Sequence, residues 1–326
     1  MEPLLQPDLL PSALVPAGIQ ASRILGLWHL TLALCAAVFA GILFVLVLAL
    51  LRARRSSQAK HADAPPSAQE RRSRFAVMTA SLVSAVLLAG LVVIDILTDR
   101  SLSRLPAADA LHIEMIGHQW WWEARYRDGD GRDAFAVANE LQVPTGRTIV
   151  VALKSADVIH TFWVPNLHGK KDMLPGRPST IVFRIDREGV YRGQCAEFCG
   201  LEHALMAFFV TGLEPQRYAD WQARQRAQAA APAGALAERG QQIFLSSNCA
   251  QCHTVRGTAA QGALGPDLTH LASRRTLGAG TVANEQAKLA AWIVDPQGLK
   301  PGSTMPASKL PPDEVRALVA YLEGLQ

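Results

Sequence analysis

The chain has 326 residues, a formal net charge of +4 and 49% hydrophobic residues. At roughly 150 residues per domain, this length allows two compact domains with additional segments. The charge is mild and spread along the chain, so no nucleic-acid partner is expected. The hydrophobic residues are distributed unevenly, because two long apolar runs lie in the first hundred residues.

These two uncharged runs predict membrane-spanning helices. Residues 27–51 contain no charged side chain, and neither do residues 75–94. About 20 apolar residues cross the hydrocarbon core of a bilayer as a helix. We therefore expect spans at about 27–51 and 75–97, within a hairpin of residues 27–99. A cleaved signal peptide is not expected, because the segment 1–26 lacks a basic start and the first run is too long.

The loop between the runs predicts their orientation. Its basic side chains far outnumber its acidic ones, Asp63 and Glu70. The basic residues are Arg52, Arg54, Arg55, Lys60, Arg71, Arg72 and Arg74. Short basic loops stay on the cytoplasmic side of a membrane. Both termini, including the N-terminal extracytoplasmic segment 1–26, are then expected on the periplasmic or outer side of a bacterial inner membrane.

After the second span, short β-rich segments alternate with turn residues, and later the pattern becomes helical. Strands are expected at 111–116, 148–153, 180–185 and 207–211. Several short strands over about 100 residues indicate an all-β sandwich or small barrel, here residues 105–215. A helix and an Ala/Pro/Gly-rich linker follow in residues 216–235. Helices are expected at 218–228, 236–245, 287–294 and 312–325. Residues 236–326 are therefore expected to form a small all-α domain.

A dense group of candidate metal ligands lies near the end of the predicted β-domain. Four of them fall within twelve residues and one lies upstream: His160, Cys195, Cys199, His203 and Met206. Thiolate, imidazole and thioether ligands together suit copper in electron-transfer sites. A structural zinc ion would need only the two Cys and two His. A disulfide between Cys195 and Cys199 is a further alternative in an oxidising compartment. The spacing favours copper and leaves both alternatives open.

The string CxExCGxxHxxM at 195–206, preceded by VIHTFWVP at 158–165, is similar to the dinuclear copper (CuA) domain of cytochrome c oxidase subunit II. The resemblance implies a cupredoxin-like barrel that holds two copper ions. In it the thiolates of Cys195 and Cys199 bridge the ions, and the imidazoles of His160 and His203 bind one ion each. The thioether of Met206 binds weakly, and the backbone carbonyl of Glu197 completes the set. The Glu197 side chain is also implied in a magnesium site shared with subunit I.

A second cysteine motif, CAQCH, is the attachment signal for a c-type haem. It implies thioether bonds from Cys249 and Cys252, with His253 as an axial ligand of the iron. A redox CxxC usually lies in a βαβ context, which this helical region lacks, and no second CxxC is present for zinc. Met305 is the only methionine after His253 and is expected to be the second axial ligand. Residues 236–326 thus resemble a class I cytochrome c.

A cluster of three tryptophans follows the string GHQ at 117–119, and it also resembles the subunit II family. The resemblance implies that Trp120 receives electrons from cytochrome c. Trp121 and Trp122 are expected to serve packing. The chain's own haem offers the electron another path, so the role of Trp120 stays open. The resemblance covers roughly residues 15–215.

The expected fold class is therefore a two-helix transmembrane hairpin plus an all-β cupredoxin-like barrel, followed by a small all-α cytochrome c domain. The resemblance implies the subunit through which electrons enter a respiratory cytochrome c oxidase. Electrons from a cytochrome c donor would pass through haem c and the dinuclear copper centre to subunit I. That partner would carry haem a and the haem-copper site, where oxygen becomes water and protons are pumped. Subunit III and the lipid bilayer are further expected partners.

No catalytic residue is expected on this chain, because the oxygen-reducing site would lie on another subunit. A quinol oxidase subunit lacks the copper ligands that this chain carries. A nitrous oxide reductase is several hundred residues longer. Two alternatives stay open: the copper-bearing subunit of a nitric oxide reductase, and a membrane-tethered electron carrier.

Overall fold

The structure, a computed structural model, describes residues 11–56, 67–102, 105 and 108–326. The described residues up to 21 and from 105 onward form one compact unit, and those between form a second. The first ten residues of the predicted N-terminal segment lie outside the described residues. So do residues 57–66 of the predicted cytoplasmic loop.

Two long helices carry the two apolar runs. They are α1 (Ile19–Ser56) and α2 (Ser67–Leu102), and each contains one of the predicted spans. Both are long and apolar enough to cross a membrane, with mean hydropathies of 3.0 and 2.5 in their most apolar windows. Large apolar side chains such as Phe44 and Phe75 are exposed. An apolar surface of this extent is typical of a helix surrounded by lipid.

Ten strands in the described unit from 105 onward build two five-stranded sheets. The strands are β1 (Leu111–His118), β2 (Trp121–Arg127), β3 (Asp133–Ala138), β4 (Glu140–Pro144), β5 (Thr148–Ser155), β6 (His160–Trp163), β7 (Lys171–Met173), β8 (Ser179–Arg184), β9 (Gly189–Cys195) and β10 (Ala207–Leu213). The sheet orders are β3-β2-β1-β5-β8 and β4-β10-β9-β6-β7. Only the pairs β1–β5 and β4–β10 run parallel among these strands. The predicted cupredoxin-like all-β domain is confirmed.

The core of this β-domain lies between the two sheets. Strand β2 shows the cause, because its side chains alternate between buried and half-buried positions with the period of a strand. Trp122 and Tyr126 from β2 are fully buried, as are Phe162 and Phe208 from the opposite sheet. Gly193 is required here, because a Cβ atom at its position would lie 2.2 Å from the Phe208 ring.

Helix α3 (Pro215–Arg226) packs its buried Tyr218 and Trp221 against the β-domain. The predicted helix of residues 218–228 is therefore real, but it starts three residues earlier and ends two residues earlier. The start is set by the Glu214 carboxylate, which accepts hydrogen bonds from the backbone N–H groups of Gln216 and Arg217. Such a side-chain cap satisfies N–H groups that have no partner within the helix.

The C-terminal residues form a mainly helical domain, as predicted. Its helices are α4 (Ala235–Ser246), α5 (Cys249–Cys252), α6 (Gln286–Val294), α7 (Pro296–Leu299) and α8 (Pro312–Leu322). A short antiparallel ribbon of β11 (Thr276–Leu277) and β12 (Val282–Ala283) was not predicted. Helix α4 begins inside the predicted linker stretch, directly after Gly234, whose φ is +89°. Helix α4 lies close against α8, since a Cβ atom on Gly240 would lie 2.0 Å from the Ala317 carbonyl oxygen.

A buried carboxylate on β1 provides a test of the β-domain. Glu114 is 5% exposed and lies 2.7 Å from the Arg127 guanidinium and 2.8 Å from the Lys154 ammonium. Burial raises the pKa of Glu114, but Lys154 and Arg127 together outweigh it and hold the pKa below its ordinary value. Because the pKa is lowered in the folded chain, the ionised carboxylate stabilises the fold at pH values above the ordinary pKa of a glutamate. The stabilisation is lost as the pH falls through the folded pKa.

We therefore expect Glu114→Gln to lower the free energy of unfolding by about 1–2 kcal/mol at pH 7. The difference from the wild-type chain should shrink below about pH 4. Denaturant unfolding followed by tryptophan fluorescence measures both effects. The control is Asp130→Asn, which breaks an exposed pair with Arg132 and should change the free energy by no more than about 0.5 kcal/mol. Equal effects of the two substitutions at pH 7 would contradict the expectation.

Candidate metal centres

Residues 196–206, here named the metal loop, connect β9 to β10. The two strands are antiparallel neighbours, with Gln194 opposite Ala207. The Cys195 N–H donates to the Met206 carbonyl at 3.0 Å and closes the loop at its base. Strand β6 lies on the other side of β9, with Phe162 opposite Cys195. This register places His160, the first residue of β6, beside the Cys195 thiol at the end of β9.

The five predicted ligand side chains come together around the two thiols. The sulfur atoms of Cys195 and Cys199 lie 3.7 Å apart. The Cys195 sulfur is 3.8 Å from His160 Nδ1 and 3.2 Å from the Glu197 carbonyl oxygen. The Cys199 sulfur is 3.7 Å from His203 Nδ1 and 3.8 Å from the Met206 sulfur. Each thiol therefore has its own imidazole and one further donor atom.

These separations fit shared metal ions and do not fit a disulfide. The sulfurs of a disulfide lie about 2.05 Å apart, whereas both thiols here are free. Two donors at ~2.0–2.3 Å from one tetrahedral ion lie about 3.6 Å apart, close to the values observed. A four-ligand zinc site would leave Met206 and the Glu197 carbonyl without a role. The complete donor set fits copper better, because it combines thiolates with imidazoles and a thioether.

The thiols and His160 influence one another's protonation. The hydrogen bond between the two thiols holds the pKa of Cys195 well below its usual range and raises the pKa of Cys199. Burial lowers the pKa of His160, but Asp157 and Cys195 together outweigh it and raise that pKa. The lowered pKa of Cys195 favours its thiolate, which is the form that binds metals.

Asp157 orients the imidazole of His160, a contact that the sequence reasoning missed. Its carboxylate lies 2.8 Å from His160 Nε2, so that Nδ1 faces the Cys195 sulfur. The same carboxylate accepts the backbone N–H groups of Gln119 and Val158. A carboxylate on the far nitrogen of a ligating histidine fixes the tautomer and the ring direction. The only signal in the sequence is the Asp three residues before the histidine.

The three tryptophans take different positions around the metal loop. The indole N–H of Trp120 donates to the Cys199 carbonyl at 3.0 Å, and its side chain is half-buried. Trp122 is fully buried and its indole N–H lies 3.3 Å from the Met206 carbonyl. Trp121 stacks on His118 with ring centroids 4.3 Å apart. The Glu197 side chain is exposed. The electron-receiving role of Trp120 and the magnesium role of Glu197 stay predictions.

The haem attachment motif forms the short helix α5 and the residue after it. Cys249 and Cys252 are half-buried free thiols. His253 Nδ1 lies 2.8 Å from the Pro266 carbonyl oxygen, which leaves Nε2 as the nitrogen for an iron ion. Burial lowers the pKa of His253 and so favours the neutral imidazole that binds iron. Met305 lies between α7 and α8 with a half-buried side chain, and its axial role stays a prediction.

Two thiols, two imidazoles and a thioether on a cupredoxin-like domain form a donor set of the kind found in copper electron-transfer sites. Residues 128–213 match the family model of the cytochrome c oxidase subunit II periplasmic domain, and residues 237–326 match that of cytochrome c. The chain therefore contains a cytochrome c oxidase subunit II periplasmic domain followed by a cytochrome c domain. The first match implies copper and the second implies haem.

Two bacterial relatives agree with these family matches. The chain is 37% identical to cytochrome c oxidase subunit 2 of Alkalihalophilus pseudofirmus over 67% of its own length and 62% of the relative's length. It is 32% identical to cytochrome c oxidase subunit 2 of Bacillus subtilis over 68% of its own length and 64% of the relative's. The matches thus span less than two thirds of these relatives. A crystal structure of the periplasmic domain of cytochrome oxidase subunit II of Bradyrhizobium japonicum is 32% identical, with 38% of this chain and 97% of that chain covered and a TM-score of 0.35.

Gly117 gives a test of how His160 is held. A Cβ atom at this position would lie 2.8 Å from Cδ2 of the His160 ring. Gly117→Ala should therefore turn the imidazole away from Cys195 and weaken copper binding about 10–100-fold. Copper titration with metal analysis of the washed protein measures the loss. Gly129→Ala is the matched control, because no atom lies within 4 Å of its added Cβ. Equal copper content in the two variants would contradict the expectation.

Gly265 plays the corresponding part beside His253. A Cβ atom there would lie 2.5 Å from Cε1 of the His253 ring. Gly265→Ala should leave the covalently attached haem content unchanged, since the two thiols are untouched. The displaced imidazole should bind the iron more weakly and add a high-spin component to the visible spectrum. A fully low-spin spectrum identical to that of the wild-type chain would show that the ring has room to adjust.

Proposed function

We propose that the chain is the subunit of a respiratory cytochrome c oxidase that receives electrons from a cytochrome c donor and delivers them to subunit I. Subunit I would reduce oxygen to water and pump protons. The observation that carries the proposal is the convergence of two thiols, two imidazoles, a thioether and a carbonyl in the metal loop region. This donor set lies in the same compact unit as a cytochrome c domain. The similarity to cytochrome c oxidase subunit 2 of Alkalihalophilus pseudofirmus and Bacillus subtilis supports it.

The residues of the metal loop and of β6 would hold two copper ions. Cys195 and Cys199 supply the bridging sulfurs, and His160 and His203 face one thiol each. Met206 and the Glu197 carbonyl occupy the two remaining donor positions. Buried thiols with donors held around them suit electron transfer, because a site that barely rearranges between oxidation states exchanges electrons readily.

One haem c would be held by the C-terminal domain. Cys249 and Cys252 would form the thioether bonds, and His253 and Met305 would be the axial ligands. When bound, haem and copper supply one-electron redox chemistry. The chain's own contribution is to hold the His253 ring through the Pro266 carbonyl and the His160 ring through Asp157.

The proposed domains are the hairpin 27–99, the copper domain 105–215, the helix and linker 216–235, and the cytochrome c domain 236–326. The hairpin would anchor the chain in a bacterial inner membrane with the two metal domains on the periplasmic side. Subunit I, subunit III and a cytochrome c donor would be the partners. A magnesium ion at the exposed Glu197 carboxylate would lie at the contact with subunit I.

The first experiment is to purify the full chain after expression with haem c maturation and added copper. We expect two copper ions and one haem c per chain, with a mixed-valence signal by electron paramagnetic resonance. Cys199→Ser should abolish that signal, because one bridging sulfur is lost. The matched control is Cys35→Ser, an exposed cysteine of α1 that should leave the signal unchanged. A mixed-valence signal that survives Cys199→Ser would refute the bridging thiolates.

The identity of the partner subunit distinguishes the proposed oxidase function from the two alternative functions. Membranes of the host can be solubilised and the chain recovered by an affinity tag. Co-purification with a haem-copper oxidase subunit that consumes oxygen supports the proposal. Co-purification with a subunit that reduces nitric oxide, or recovery of the loaded chain alone, would replace the oxidase by a nitric oxide reductase or by a tethered electron carrier.

A further inference from the structure

A lysine of the cytochrome c domain reaches the copper domain beside the metal loop. Lys300 follows α7 and is only 3% exposed. Its ammonium donates to the Leu205 carbonyl at 2.8 Å and to the Trp120 and Gly278 carbonyls at 2.9 Å each. Leu205 and Trp120 belong to the copper domain, whereas Gly278 belongs to the cytochrome c domain. One side chain thus joins three backbone segments.

Burying the Lys300 ammonium group is unfavourable unless each of its N–H groups has an acceptor. An ammonium group has three N–H donors, and all three are used by the three carbonyls. A buried charge without such partners is strongly unfavourable. Burial lowers the pKa of Lys300 to about 8, while the buried Glu202 and Cys199 act in the opposite direction. Glu202, in the metal loop, is therefore the nearby acidic group that favours the charged form of the lysine.

The two carbonyls of the copper domain lie next to the candidate ligands. In the metal loop, Leu205 directly precedes Met206 and lies two positions after His203. Trp120 carries the indole that donates to the Cys199 carbonyl. Lys300 therefore contacts both segments that surround the thiols, and it contacts them through backbone oxygens that have fixed positions.

Other hydrogen bonds extend the contact between the copper domain and the cytochrome c domain. The Glu140 carboxylate of β4 accepts the backbone N–H groups of Arg275 and Thr276 at 2.9 Å. The Ala207 N–H of β10 donates to the Ala279 carbonyl at 3.0 Å. These contacts lie at the first residues of β4 and β10, whereas Lys300 lies against the metal loop itself.

We propose that Lys300 is a positioning residue that locks the cytochrome c domain onto the metal loop and so fixes the path between the haem and copper sites. The inference deepens the proposed function and rests on it for its kinetic consequence. In that transfer the ferrous haem would lose one electron and the oxidised copper pair would gain it, with no bond made or broken. Docking itself requires neither cofactor.

The experiment compares Lys300→Met with Lys309→Met in the full purified chain. Methionine keeps the side chain unbranched and only one atom shorter, and it removes the charge and the donors. Lys309 is an exposed lysine of the same domain, so its substitution controls for surface charge. Lys300→Gln keeps an amide donor and serves as the conservative variant. The first readout is hydrogen exchange of the Ala207 amide, whose partner lies in the other domain.

In the wild-type chain and in Lys309→Met we expect this amide to be protected. In Lys300→Met its protection should fall more than about tenfold, and Lys300→Gln should give an intermediate value. The second readout is the rate of electron transfer from haem to copper after rapid reduction of the haem. It should fall at least about tenfold in Lys300→Met, with copper content, haem content and spectra unchanged.

Unchanged protection and an unchanged rate in Lys300→Met would overturn the proposal. An unprotected Ala207 amide in the wild-type chain would overturn it as well. If Lys300→Met fails to fold, full wild-type protection and rate in Lys300→Gln overturn the proposal, and an intermediate value supports it. Failure of the proposed function gives a different result from failure of this proposal. Missing copper or haem would appear in the metal analysis, whereas hydrogen exchange reports on the contact between the domains with or without the cofactors.

Discussion

The hydrogen bond from the Cys195 N–H to the Met206 carbonyl closes the metal loop at its base, and the candidate site depends on this closure. It continues the β9–β10 ladder by one more pair, so the loop begins and ends at fixed points. The ladder between β6 and β9 adds His160 from outside the loop. Strand pairing therefore fixes the positions of His160, Cys195 and Met206 relative to one another through the backbone.

The two domains that carry the candidate metal ligands meet through polar contacts with backbone groups. The Glu140 carboxylate accepts amide hydrogens from the ribbon region, and Lys300 donates to carbonyls on both sides. Contacts of this kind are directional, because each requires a particular distance and angle between donor and acceptor. They select one orientation of the domains, whereas an apolar patch of equal size would permit sliding.

Much of the architecture and of the candidate site could be predicted from local sequence patterns. The two apolar runs, the alternating strands and the spacing of CxxxCxxxHxxM each depend on neighbours in the chain. Contacts between distant segments could not be predicted. Lys300 and Trp120 are 180 positions apart, and nothing near either residue indicates the other. The β11–β12 ribbon was missed because two-residue strands carry no periodicity, while the early start of α3 at Pro215 follows from the capping Glu214.

The short connection between α3 and α4 has a consequence for binding strength. Residues 227–234 join the two domains, and the Ala229 N–H is itself bonded to the Arg256 carbonyl. A short tether presents one domain to the other at an effective concentration on the order of millimolar. A contact too weak to persist between separate proteins in dilute solution then stays formed almost all the time. Because the two domains are covalently joined, the contact between them does not need high affinity. A few well-placed hydrogen bonds are enough to hold it.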